Sequence, residues 1–175
     1  MTEQSKAEWV RAALERYEQP LLRYAWRITR NTETARDVVQ DTFLRLCAAN
    51  QARVDGHLAP WLYRVCRNRA LDVAKKEARM ETMTEELAAV QPAHDVSPGA
   101  AAAAQETQAL VWQALGGLAQ NQQEVFRLKF QDQLSYKEIS EVTGVSVNHV
   151  RYLIHTSLKH MRQALEGSLD LPAQA

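Results

Sequence analysis

Val147, Val150, Ile154, Leu158, Met161 and Leu165 follow one another in steps of 3, 4, 4, 3 and 4 residues, an average of 3.6. That is the period of an α-helix, and a chain built on it buries its apolar stripe mainly against other helices. The N-terminal part repeats the arithmetic. Val10, Leu14, Tyr17, Leu21, Ala25 and Ile28 also step by three or four. Alternation of apolar and polar residues, the mark of a half-buried strand, is scarce. The expected fold class is all-α.

Punctuation divides this helical text. Pro20 predicts either the first turn of a second helix or a kink. Asn31 or Thr32 caps the next helix, whose apolar positions are Ala35, Val38, Val39, Phe43 and Leu46. "NQARVDGHL" reads as a loop. Pro60 suits the start of a helix running to about Arg79, with Leu62, Val65, Cys66 and Val73 facing inward. "QPAHDVSPG" and the alanine run after it read as a linker. Helices are predicted near 106–118, 122–131, 135–143 and 147–165. The organisation expected is two small helical domains, 1–80 and 106–170, joined by a flexible acidic, Ala/Pro-containing linker at 81–105.

Lys and Arg total 21, as do Asp and Glu, so the net charge is zero. The distribution is uneven. Residues 61–80 hold six basic residues against Asp72 and Glu77, residues 142–165 hold three and no acid, and residues 80–126 hold six acids and no Lys or Arg. Two basic segments flanking an acidic one are compatible with nucleic acid despite the neutral total. Cys47 and Cys66 both fall in helical apolar patterns and are expected to be buried free thiols. No run of 18 uncharged apolar residues suggests a membrane span, and "MTEQSKAEWV" lacks the features of a signal peptide, so a cytoplasmic location without membrane insertion is expected. No phosphate loop, glycine-rich nucleotide turn or nucleophile elbow is present, and the five histidines show no ligand spacing, so neither an enzyme nor a metal or cofactor site is expected.

The strongest local signal is "LSYKEISEVTGVSVNHV". Ser135 and Glu138 form a capping box, with Leu134 and Ile139 placed for a hydrophobic staple. Gly144 supplies the left-handed conformation of a tight turn, and Ser146 caps the helix that follows. Two helices meeting across so short a turn make a helix-turn-helix. Asn148, His149, Arg151, Tyr152, His155 and Lys159 lie on the outward face of the second helix. Asn and Arg bond base edges, and Arg, Lys and Tyr bond phosphates. The same pattern also fits an ordinary helical hairpin with a solvated face.

"PLLRYAWRITRNTETARDVVQDTFLRLC", "WLYRVCRNRALDVAKK" and "LSYKEISEVTGVSVNHVRYLIH", in that order, resemble the extracytoplasmic-function (ECF) sigma factors of bacterial RNA polymerase. The resemblance spans most of residues 10–165 outside the linker. It implies partners: core RNA polymerase, promoter DNA and an anti-sigma factor. It implies that Asp37, Val38, Gln40, Asp41, Phe43 and Leu44 belong to the polymerase-gripping region, with acids and an amide on one face and apolar residues behind. It implies that Tyr63, Arg64, Arg67, Asn68, Arg69, Asp72, Lys75 and Lys76 belong to the region that opens the minus-ten element. Tyr63 ranks ahead of Trp61 as the aromatic that stacks on an unpaired base, Trp61 being suited to the core. It implies that Ser146, Asn148, His149, Arg151, Tyr152, His155 and Lys159 read the minus-thirty-five element.

The chain departs from the family where its last helix is concerned. Leu153, Thr156, Leu158 and His160 stand at common arginine positions, and Leu118, Ala119 and Gln123 replace a usual leucine-proline and arginine. Each missing phosphate-binding side chain lowers affinity and flattens its salt dependence. Weak duplex binding by the second domain alone is expected, with attachment to polymerase supplying the rest. The rival readings are a stand-alone helix-turn-helix regulator and a degenerate sigma that no longer reads promoters well.

Overall fold

The structure, a computed structural model, describes residues 3–81 and 110–169. All regular structure in the described residues is helical, as the apolar spacing requires. The helices fall into two compact units. The first holds α1 (Glu3–Thr29), α2 (Thr32–Ala48), the short α3 (Gln51–Val54) with a 3-10 turn at Asp55–His57, and α4 (Leu58–Glu81). The second holds α5, helical over 110–116, then α6 (Gln120–Phe130), α7 (Tyr136–Thr143) and α8 (Val147–Leu169). The expected linker, 81–105, lies outside the described residues except for Glu81.

In the first unit α1, α2 and α4 pack pairwise into a three-helix bundle. Pro20 does not start a second helix, for α1 is continuous through it. Losing one backbone N–H inside a helix costs about 3 kcal/mol. Ala13 on one side of Pro20 and Leu21, Tyr24 and Ala25 on the other are all buried, and their packing outweighs that cost. The bend into α2 is made by Arg30 at φ 57, whose N–H donates to the Trp26 carbonyl at 2.8 Å. Asn31 then caps α2 by accepting from Glu33 N and Thr34 N at 2.9 and 3.0 Å. Where a plain loop was expected after Asn50, its side chain caps α3, and Trp9 Nε1 donates to Asp55 Oδ1 at 2.9 Å. That bond pins the connection to α1.

The two thiols differ. Cys66 is buried as expected, but Cys47 is exposed, because it lies on the outer side of α2 one residue past Leu46. Burial pushes the Cys66 thiol up to about 12 from an ordinary 9.0, a hydrogen bond with Thr42 pulling weakly the other way. An acid whose folded pKa is raised stabilises the fold below its unfolded pKa, and that contribution is lost as pH rises from about 9 towards about 12. A thiol reagent at pH 8 should therefore titrate one equivalent in the native protein and two after denaturation. Two fast equivalents in the native state would refute this placement.

In the second unit Ala114, Leu115, Leu118 and Met161 form a buried apolar cluster, with Val111, Trp112, Phe126 and Ala164 packed against it. The turn between α5 and α6 is closed by Gln123, whose Nε2 donates to the Leu118 carbonyl at 2.9 Å. Gln122 Oε1 accepts from Ala119 N at 3.2 Å. Here two amides hold the turn.

Candidate protein and nucleic-acid interfaces

Helix α2 turns one face inward and one outward. Ala35, Val38, Val39, Thr42, Phe43 and Leu46 are buried in the bundle. Asp37, Gln40 and Leu44, at i, i+3 and i+7, are exposed on the opposite side. Leu44 is 59% exposed, an unpartnered aliphatic group among an acid and an amide. Of the residues expected to grip polymerase, then, Val38 and Phe43 hold the helix in place and Asp37, Gln40 and Leu44 are open to a partner. Asp41 sits at the flank nearest α4, where its Oδ2 accepts from Arg69 Nε at 2.8 Å.

Helix α4 buries Pro60, Leu62, Tyr63, Cys66 and Ala70. Opposite this face run Trp61, Arg64, Asn68, Asp72, Lys75 and Arg79, in steps of 3, 4, 4, 3 and 4. All are exposed except Trp61, which is half-buried, and Lys76 is exposed close by. This stripe was readable in the sequence by applying the helical period to polar residues as well as apolar ones. It corrects one assignment. Tyr63 is only 2% exposed and packs edge-on against Tyr24, ring centroids 5.2 Å apart, so it cannot stack on a base without unfolding its surroundings. Trp61, two residues earlier and on the other side of the helix, is the aromatic that shares a face with the basic residues. Arg67 is half-buried, and Arg69 is tied to Asp41. A second tie joins the same two helices, Thr34 Oγ1 donating to Glu77 Oε1 at 3.1 Å.

The helix-turn-helix is built as its sequence requires. Ser135 N donates to Glu138 Oε2 at 2.7 Å and Glu138 N to Ser135 Oγ at 3.2 Å. Gly144 takes φ 78, ending α7, and Ser146 Oγ accepts from His149 N at 3.2 Å to open α8. Asn148, His149, Arg151, Tyr152, His155 and Lys159 are all exposed. The His149 and Tyr152 rings lie stacked, centroids 6.1 Å apart. From Arg151 to Lys159 the helix rises about 12 Å, comparable to the width of a DNA major groove.

The inward face of α8 is not the stripe expected. Val150, Leu153, Ile154, Ser157 and Met161 are buried, while Leu158 is 43% exposed and Val147 and Leu165 are half-buried. At 100° per residue the buried face is rotated by roughly 50° from the apolar stripe. Ser157 hides the shift from an apolar pattern, because its hydroxyl is buried and donates to the Leu153 carbonyl at 2.7 Å. The four common arginine positions separate accordingly. Leu153 is core. Thr156 Oγ1 accepts from Gln122 Nε2 at 3.0 Å, locking α8 to α6. His160 lies against Gly117, where an added Cβ would come within 3.1 Å of its Nε2. Leu158 is exposed on the side of α8 that carries Arg151. Among the described residues no group of His, Cys, Asp and Glu is arranged to hold a metal, and no helix is long and apolar enough to cross a membrane.

A bundle with a basic stripe followed by a helix-turn-helix unit matches two known family models, Sigma-70 region 2 over residues 13–80 and Sigma-70, region 4 over residues 108–161. These place the chain in the sigma-70 class. The chain is 30% identical over 156 residues to the RNA polymerase sigma-E factor of Streptomyces avermitilis, covering 89% of this chain and 83% of that one. It is 30% identical over 155 residues to the ECF RNA polymerase sigma factor SigE of Mycolicibacterium smegmatis, of whose length it spans 60%. It is 23% identical over 153 residues to the ECF RNA polymerase sigma factor SigM of Bacillus subtilis, covering 83% of this chain and 88% of that one. In fold it matches the sigma factor RpoE of Bartonella quintana, solved in complex with the anti-sigma factor NepR, with a TM-score of 0.65 at 18% identity over 89% of this chain and 96% of that one. The chain belongs to the ECF RNA polymerase sigma factors.

Proposed function

We propose that this chain binds core RNA polymerase and directs it to promoters, without catalytic activity of its own. Residues 1–80 carry polymerase attachment through Asp37, Gln40 and Leu44 of α2 and minus-ten opening through the outward face of α4. Residues 106–170 read the minus-thirty-five element through α8, and residues 81–105 tether the two. An anti-sigma partner covering the α2 face holds the protein inactive. The observation that carries the reading is the pair of opposed devices on one small bundle. An acid-and-aliphatic face on α2 suits a basic, apolar-backed protein helix, and a tryptophan-headed basic stripe on α4 suits a single strand.

The test is reconstitution with core polymerase followed by genome-wide mapping of transcript starts. New starts sharing an upstream sequence are expected. Polymerase binding without starts would point to the degenerate reading, and duplex binding without polymerase to the stand-alone regulator. Leu44→Ala sharpens the test. An exposed leucine contributes little to the fold, so its removal should change unfolding by less than about 0.5 kcal/mol. At the centre of an interface it should weaken polymerase binding by about tenfold, or ~1.4 kcal/mol. Unaltered polymerase affinity in a titration of labelled protein would remove Leu44 from the interface.

A further inference from the structure

The Asp41–Arg69 pair joins two residues that belong to different partners. Asp41 is on the helix that grips polymerase, Arg69 on the helix that meets DNA, and the distance between them is 2.8 Å. Both side chains remain about two-fifths exposed, at 41% for Arg69 and 40% for Asp41. An incoming group can therefore reach either one. An ion pair this exposed is worth only about 0–1 kcal/mol, so it holds in the free protein yet yields to a better-placed competitor. Packing does not depend on it. The two helices are joined independently by Thr34 and Glu77, and by the buried apolar residues that the pair flanks.

We infer that this pair is an exchange latch that couples polymerase binding to DNA binding. In the free protein Asp41 neutralises Arg69 and withholds it from phosphate. When a basic group of polymerase takes over the Asp41 carboxylate, the Arg69 guanidinium is released towards the strand that lies along the α4 stripe. Because coupling between two ligands is reciprocal, DNA engaging Arg69 strengthens the hold of Asp41 on polymerase by the same factor. The inference rests on the proposed function for its two partners, but the latch itself is a property of the free chain.

That separation allows a decisive test on the full-length protein. Binding of a fluorescent single-stranded oligodeoxynucleotide is measured across a salt series for the wild type, Asp41→Asn, Arg69→Gln and the double variant. Either single change breaks the pair, so a merely structural role moves both in the same direction. The latch predicts that only one of them tightens binding. Asp41→Asn tightens binding by roughly threefold and steepens the salt dependence by about 0.7, the increment for one added phosphate contact on a single strand. Arg69→Gln does not tighten it, and Asp41→Asn made on top of Arg69→Gln brings no tightening either. A tightening that persists in the double variant is general relief of negative charge and overturns the latch, as does the absence of any tightening. Adding core polymerase to the wild type reports separately on the proposed function. If no complex forms, that reading fails while the oligonucleotide cycle still decides the latch.

Discussion

Tyr63→Ala is expected to unfold the first unit, and Trp61→Ala to leave it folded while impairing promoter opening. Tyr63 is among the largest fully buried side chains of the protein and makes an edge-on contact with Tyr24 at a 64° interplanar angle. Truncating a buried aromatic residue costs about 3–5 kcal/mol. A small domain has only about 5–15 kcal/mol of stability in total, so such a loss removes a large part of it. The melting temperature of the first unit, followed by circular dichroism, should fall by more than about 10 °C. Trp61 is half-buried at the head of the polar stripe, and its loss leaves most of the bundle untouched. Its effect should appear in the reactivity of unpaired thymines at the promoter, with polymerase binding retained. A Tyr63→Ala protein that melts like the wild type but fails to open DNA would return Tyr63 to the interface.

These two residues show how far the sequence could be read. Features set by neighbours in the chain were legible: a cap at Asn31 or Thr32, which falls to Asn31, Ser146 as a second cap, the Ser135–Glu138 box, Gly144 as the turn. Each is decided by one side chain and the few backbone groups within its reach. Features set by which side of a helix faces the core were less so. Trp61 and Tyr63 are two residues apart, about 200° around the helix, and period alone does not choose between opposite faces. Cys66 and Ala70 fix the choice, for Tyr63 lies within about 60° of both and Trp61 at least about 140° from either. On α8 the error was smaller in angle but similar in origin, since a satisfied buried serine counts as polar in any apolar pattern. Pro20 as the start of a second helix failed for a third reason. A local penalty of about 3 kcal/mol is real, but the burial on both sides of it is larger and appears only in tertiary packing. Asp41 and Arg69, 28 residues apart, show a fourth limit, because pairing across helices leaves no trace in local spacing.

Arginine introduced into α8 should have opposite consequences at Leu153 and Leu158. Leu153 is 5% exposed, inside the second unit among Val150, Ile154 and Ser157. Leu153→Arg places a permanent charge there with no acidic partner supplied, and the effective penalty for an unpaired buried ion is several kcal/mol. The second unit should lose its cooperative unfolding transition, and transcription from any promoter that needs the minus-thirty-five element should fail. Leu158 is exposed beside Arg151 and Arg162, so Leu158→Arg buries nothing and removes an aliphatic group from solvent. It adds a charge within reach of the phosphates flanking the groove. Affinity for promoter duplex should rise by roughly threefold or more and the salt slope steepen by about 0.9, the increment for one phosphate contact. Both variants can be compared by thermal denaturation and by duplex titration at several salt concentrations. If Leu158→Arg leaves the slope unchanged, α8 does not approach the backbone along that edge. If Leu153→Arg folds normally and binds duplex more tightly, the inward face of α8 has been misassigned and the apolar stripe through Leu158 is the true core face.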